Sequence, residues 1–145
     1  MGWLSRLFGR RELDDRLLNG ELSPDSGEGR ARAEQLVSPR HRAKCAQALR
    51  ELVEEAQKPR SSLFNANLRI QRALIRENQA LILTLARELE ELPAVNPRGV
   101  ILADRLINDG ASPVYITEAA IEENGALVRA VERARKALKP GRLGG

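Results

Sequence analysis

Aromatic side chains are scarce in this chain of 145 residues: Trp3, Phe8, Phe64 and Tyr115 are the only four. A core without rings has to be filled by Leu, Ile, Val and Ala packed between closely spaced helices. Few rings remain to stack on bases or line a ligand pocket. Cys45 is the only cysteine, which excludes an internal disulfide and fits a reducing compartment. No apolar run approaches the ~18 residues a membrane-spanning helix needs, and there is no apolar core of a secretory signal. The sequence also holds no Gly-rich phosphate loop and no zinc finger. A cytoplasmic protein of one domain is the expectation, long enough to bury roughly two thirds of the surface its unfolded chain exposes.

What the chain does contain is helical spacing. From Leu68 to Leu92, Ile70, Leu74, Leu81, Leu85, Leu89 and Leu92, with Ala73, Ile82 and Ala86 beside them, recur at three- and four-residue steps. They form one broad apolar stripe on a long helix. No charge falls between Asn78 and Ala86, so the middle of this helix should lie deepest, and Asn78 is its natural point of interruption. A preceding helix from Pro39 to about Gln57 carries Cys45, Ala46, Leu49, Leu52, Val53 and Ala56 on its buried face. Ser38-Pro39 starts it as a cap with a first-turn proline, and Ser61 or Ser62 can cap the central helix. Ala31 to Val37 can also be helical.

Beyond the central helix, Asn96-Pro97 opens a helix over Arg98 to Ile107, with Val100, Ile101, Ala103 and Leu106 inward and Gly110 as its left-handed stop. Ala111 to Tyr115 reads as an extended connector. Thr117 then caps a last helix, with Ile116 and Ile121 as a staple and Ala120, Leu127, Val128, Val131 and Leu138 buried. Pro140-Gly141 ends it. The expected fold is all-α, a small bundle of four to five helices. Its parts are an amphipathic N-terminal segment (1–19), an acidic Gly/Ser/Pro linker (20–29), the bundle (30–139) and a flexible tail (140–145).

Charge order adds an orientation. Arg40, Arg42 and Lys44 start the helix from Pro39 and Glu51, Glu54 and Glu55 end it; Arg69, Arg72 and Arg76 start the central helix and Glu88, Glu90 and Glu91 end it. Both orders oppose the helix dipole, at roughly 0.3 to 1 kcal/mol per exposed charge. An antiparallel hairpin relieves this by laying each acidic end beside the other's basic start. Arg30 and Arg32 would then face Glu88 to Glu91.

The segment from Arg98-Gly99-Val100 through Leu106-Ile107-Asn108-Asp109-Gly110-Ala111-Ser112-Pro113-Val114-Tyr115 resembles one that recurs in uncharacterised, small, all-helical proteins of high-GC bacteria. The resemblance covers under a fifth of the chain. It implies a helical bacterial protein and carries over no functional residue.

Functional candidates are few. Met1 to Arg11 places Trp3, Leu4, Leu7 and Phe8 on one side of a helix, with Arg6, Arg10 and Arg11 flanking and no acid. An apolar wedge with a basic rim suits a membrane interface, and three basic residues contribute roughly 3 kcal/mol near an anionic surface. Arg6 stands where an N-myristoylation pattern requires Ser or Thr. Asp109, Ser112 and Tyr115, with Asp104 nearby, gather polar groups around one helix end and form a candidate ligand-binding or catalytic loop. Arg129, Arg133 and Lys136 line one face of the last helix and could meet phosphates. The net charge of +4 is mild, acids are interleaved, and the connector from Asp109 to Ile116 is too long for a helix-turn-helix. His41 and Cys45, four apart, are half of a metal site, but no further His or Cys completes it and Arg40, Arg42 and Lys44 surround the pair. No metal, cofactor or catalytic residue is therefore assigned.

The reading is a non-enzymatic interaction or scaffold protein, self-associating or binding a protein partner, recruited peripherally to the inner membrane face by residues 1–11. A weak nucleic-acid binder is the first alternative. An enzyme or ligand binder using the Asp109–Tyr115 loop is the second.

Overall fold

The computed structural model describes residues 2–58, 66–110 and 112–138, with the side chains of residues 2–8 and 66–70 left aside. The expectations for Ser61 or Ser62 as a cap, for the side chain of Ile70, for the Pro140-Gly141 stop and for the tail lie outside these residues. Among them the chain is all-helical: α1 Gly2–Leu18, α2 Gly27–Leu36, α3 Pro39–Ala56, α4 Ala66–Glu77, α5 Gln79–Glu91, α6 Pro97–Asp109 and α7 Pro113–Leu138. Seven helices exceed the four to five expected. The long central helix divides at Asn78, whose φ of −114° and ψ of 23° leave the helical range, and whose side-chain amide donates to the Leu74 carbonyl at 2.8 Å. Such local bonding is how Asn competes with helix continuation. α2 begins at Gly27, inside the stretch read as linker.

Proline sets three helix starts. Ser38 caps α3 by accepting from the His41 amide at 3.3 Å, with Pro39 in the first turn. Asn96 caps α6 by accepting from the Arg98 amide at 3.0 Å, with Pro97 following. Ser112-Pro113 begins α7 in the same way, the Ile116 amide already donating to the Ser112 carbonyl at 3.1 Å. The extended connector expected over Ala111 to Tyr115 is therefore corrected. Thr117 is no cap but an interior residue whose hydroxyl donates to the Pro113 carbonyl. Gly110, at φ 64°, closes α6 as expected.

The core is one aliphatic cluster. Ala46, Leu49, Val53 and Ala56 of α3 meet Ile82, Leu85, Ala86 and Leu89 of α5, with Val100, Ile101, Ala103 and Leu106 of α6 completing it. The alanines among them are fully buried, and small residues on facing positions let helices approach closely. In α4 the inward position is Ile75, while Leu74 and Ala73 face outward; Ile75 stands seven residues before the buried Ile82, so the buried face lies one position on from a stripe through Leu74 and Leu81. α7 outruns the bundle. Leu127 and Val128 are half-buried, but Val131 and Leu138 are exposed, contrary to expectation, as is every residue from 129 to 138 among the described residues.

The antiparallel hairpin is present, and arginines serve both ill-matched helix ends. Arg42 of α3 donates from Nε and Nη2 to the carbonyls of Leu89 and Leu92, both at 2.6 Å, and Arg50 pairs with Glu90. Arg72 of α4 donates to the Ala56 carbonyl, at the end of α3, at 3.2 Å. Cations at these orphan carbonyls offset the neighbouring glutamates. The expected pairing of Arg30 and Arg32 with Glu88 to Glu91 does not occur. Arg30 bonds Glu34 on its own helix, and Arg32 turns to α1.

That turn makes the best-shielded ion pair among the described residues. Arg32 Nε and Nη2 donate to the two carboxylate oxygens of Asp14 at 2.6 and 3.0 Å, and the side chains are only 8% and 10% exposed. Around it α1 is held by Arg105 on Asp15, Arg11 on Asp109, and Arg98 on the Leu17 carbonyl. Burying two charges is tolerable in this bidentate geometry, whereas removing one partner strands the other. Asp14→Ala should cost about 3 kcal/mol in chemical denaturation, and Asp14→Leu with Arg32→Met should recover most of it. A single variant within about 0.5 kcal/mol of the parent would show the pair to behave as a solvated one.

Candidate functional site

The first two turns of α3 point in two directions. Arg42 and Ala46 face α5, while His41 and Cys45, one helical turn apart, face α6 and meet Asp104 there. His41 Nε2 lies 3.1 Å from Asp104 Oδ2 and 3.4 Å from Cys45 Sγ, and the Cys45 thiol donates to Asp104 Oδ1 at 3.0 Å. Cys45 is buried, whereas the His41 and Asp104 side chains are 28% and 20% exposed. The cluster therefore has a sulfur floor and a partly open imidazole and carboxylate rim. The ligand atoms all lie within 4.8 Å of one another.

This arrangement does not activate a nucleophile. Burial, with the Asp104 charge and hydrogen bond added, pushes the Cys45 thiol well above its ordinary range. The thiol keeps its proton and points it at the carboxylate in a hydrogen bond, and both partners of His41 share the one ring nitrogen. A relay through the imidazole needs a base on one nitrogen and an orienting acid on the other. The trio is set up instead for a shared cation or proton.

Asp104 also lines a polar cavity of about 180 Å³ with Arg11, Asp14, Arg32, Arg105, Asn108 and Asp109. Its charges are largely paired. Arg11 meets Asp109 at 2.9 Å and Arg105 reaches the same carboxylate at 3.5 Å. The Arg11 hydrogen bond, with Arg105 adding to it, holds the Asp109 carboxyl below the usual carboxylate range.

The loop candidates do not converge. Asp109 is occupied by Arg11 and Arg105, Ser112 lies at the start of α7, and Tyr115 is 78% exposed. Of the phosphate candidates, Arg129 bonds Glu122 at 2.9 Å, and Arg133 and Lys136 are exposed beside Glu132. The turn between α6 and α7 is short, so length no longer argues against a helix-turn-helix. Charge does, because Glu118 and Glu122 are exposed on the first turns of α7. Of the membrane-surface candidates, the side chains of Trp3, Leu4, Arg6, Leu7 and Phe8 lie outside the described residues. Arg10 is exposed, and Arg11 is tied to Asp109. α1 is not continuous through them: Gly9 has φ 77° and ψ 173°, a backbone conformation essentially confined to glycine.

His41 and Cys45 were legible as half of a site from their spacing; Asp104, sixty-odd residues on, was visible only as part of the loop cluster. Native Cys45 should react with a thiol alkylating reagent at pH 7 far more slowly than the unfolded chain. Comparable rates in the two states would contradict the buried, carboxylate-bonded thiol. Comparison with protein-family models, with curated proteins and with solved structures finds no match to this chain.

Proposed function

We propose that this chain is a non-enzymatic helical scaffold held peripherally at an anionic membrane surface by the segment ahead of Gly9. The observation that carries the reading is the division of α1. Residues 10–18 are fastened to the bundle by Arg11, Asp14, Asp15 and Leu17 through ion pairs and a hydrogen bond to α2 and α6. Ahead of the glycine-only bend stand Trp3, Leu4, Leu7, Phe8 and Arg6, half of the chain's aromatics in a stretch without an acid. Apolar insertion and headgroup attraction then act together. Since Arg11 is committed to Asp109, the basic rim reduces to Arg6 and Arg10, at about 1 kcal/mol each. Attachment of that strength is reversible. Among the described residues no helix is long and apolar enough to cross a membrane.

Co-sedimentation with vesicles tests the proposal, using the full chain and its Trp3→Glu/Leu7→Glu variant against phosphatidylglycerol and phosphatidylcholine. The parent should pellet with the anionic vesicles, less so at raised salt, and the variant should stay in the supernatant. Equal pelleting of parent and variant, or none by the parent, would overturn it.

A further inference from the structure

We infer that His41, Cys45 and Asp104 form a binding site for a zinc-class divalent cation, with the fourth position open to solvent. This rests on the cluster alone and stands independently of the membrane reading. In a tetrahedral zinc centre with bonds of about 2.0 Å to nitrogen or oxygen and 2.3 Å to sulfur, neighbouring ligand atoms lie about 3.3 to 3.5 Å apart. Here the imidazole nitrogen lies 3.1 Å from Asp104 Oδ2 and 3.4 Å from the sulfur, while the sulfur lies 3.0 Å from the other carboxylate oxygen, Asp104 Oδ1. Whichever carboxylate oxygen ligates, two of the three edges of one triangular face are within a few tenths of an ångström of these lengths, all three ligand atoms lie within 4.8 Å of one another, and a small rotation of the Asp104 carboxylate closes the third.

The donor set selects the ion. A thiolate with an imidazole suits zinc and its spectroscopic substitute cobalt, whereas calcium and magnesium require oxygen ligands. Charge closes as well, since one thiolate and one carboxylate neutralise a divalent cation beside a neutral imidazole. Binding replaces the thiol proton, now shared with Asp104 Oδ1, by the metal, and the proton leaves to solvent. The cations near the cluster do not occupy it. Arg42 is bonded to the end of α5, Arg105 to Asp15 and Asp109, and Arg40 and Lys44 are exposed.

The scaffold supplies rigidity on both sides. His41 and Cys45 share one face of α3, whose first turn is fixed by the Ser38 cap, and Asp104 stands on α6 beside the buried Ala103. Because Cys45 forms the floor while His41 and Asp104 remain partly exposed, the ion enters from the rim and keeps a water there. Three protein ligands with one solvent position is the coordination of an accessible zinc centre, distinct from a closed structural one.

The test uses the full chain, freed of metal, titrated with cobalt(II). A single equivalent should produce the near-ultraviolet charge-transfer band of a thiolate–cobalt bond together with the strong visible bands of a four-coordinate ion, and one equivalent of zinc should abolish both. The charge-transfer band should be absent in Cys45→Ser. Asp104→Asn and His41→Ala should each weaken binding by at least about tenfold, the loss that even second-layer changes around a metal produce. Zinc should raise the melting temperature of the parent and leave that of Cys45→Ser unchanged. Circular dichroism confirms that each variant is folded, and the thiolate band of the parent needs no variant to be read. Failure of the parent to bind cobalt, or binding without a thiolate band and with equal affinity in Cys45→Ser, would overturn the site.

Discussion

The Arg42 guanidinium donates to the Leu89 and Leu92 carbonyls and ties the start of α3 to the end of α5. The rest of the structure depends on the antiparallel packing that this contact marks. α5 ends in Glu88, Glu90 and Glu91 with its own orphan carbonyls pointing the same way, an arrangement a lone helix would resist. A cation delivered from the neighbouring helix removes the conflict. Arg72 does the same for the end of α3 at the Ala56 carbonyl. The seam between them is then free to be purely aliphatic, Ala46, Leu49, Val53 and Ala56 against Ile82, Leu85, Ala86 and Leu89.

With α3 fixed on α5, its next face has only one orientation left. The four-residue step that aligns Arg42 with Ala46 also aligns His41 with Cys45, and that second pair lands on Asp104 of α6. The cluster is therefore a consequence of the packing that forms the core. α6 in turn is fixed at its start by α7: the Asn96 amide donates to Asn124 Oδ1 at 3.1 Å, while the Asn96 side-chain amide and Arg98 both reach Glu123. Asn124 is wholly buried, and close by, burial raises the Glu88 carboxyl above its usual range against the opposing influence of the Asn124 side chain. Polar side chains thus set the relative placement of helices whose apolar faces alone would slide.

Much of the fold was legible because its signals are local. The six buried positions of α3, Cys45, Ala46, Leu49, Leu52, Val53 and Ala56, follow from spacing alone, as do the capped starts at Ser38-Pro39 and Asn96-Pro97 and the stop at Gly110. The identical Ser112-Pro113 start was passed over for Thr117, although a proline preceded by a small capping residue is the stronger marker. Buried positions on α7 beyond Val128 could not be read, since spacing shows which face is apolar and not whether a neighbour extends far enough to cover it. Nor could charge pairing be read. Arg32 is as plausible opposite Glu88 as opposite Asp14 until the placement of α1 is known. For the same reason Asp104 joined the wrong group: its distance from His41 and Cys45 along the chain exceeds anything a periodic pattern reports.

Native-state hydrogen exchange measures the central claim most directly. Amides of α3 from Cys45 to Ala56 and of α5 from Ile82 to Leu89 should exchange only through global unfolding, with α1 ahead of Gly9 and α7 beyond Val128 opening long before them. Exchange of the α3 or α5 seam by a partial opening, while α1 or the end of α7 stayed protected, would contradict the account.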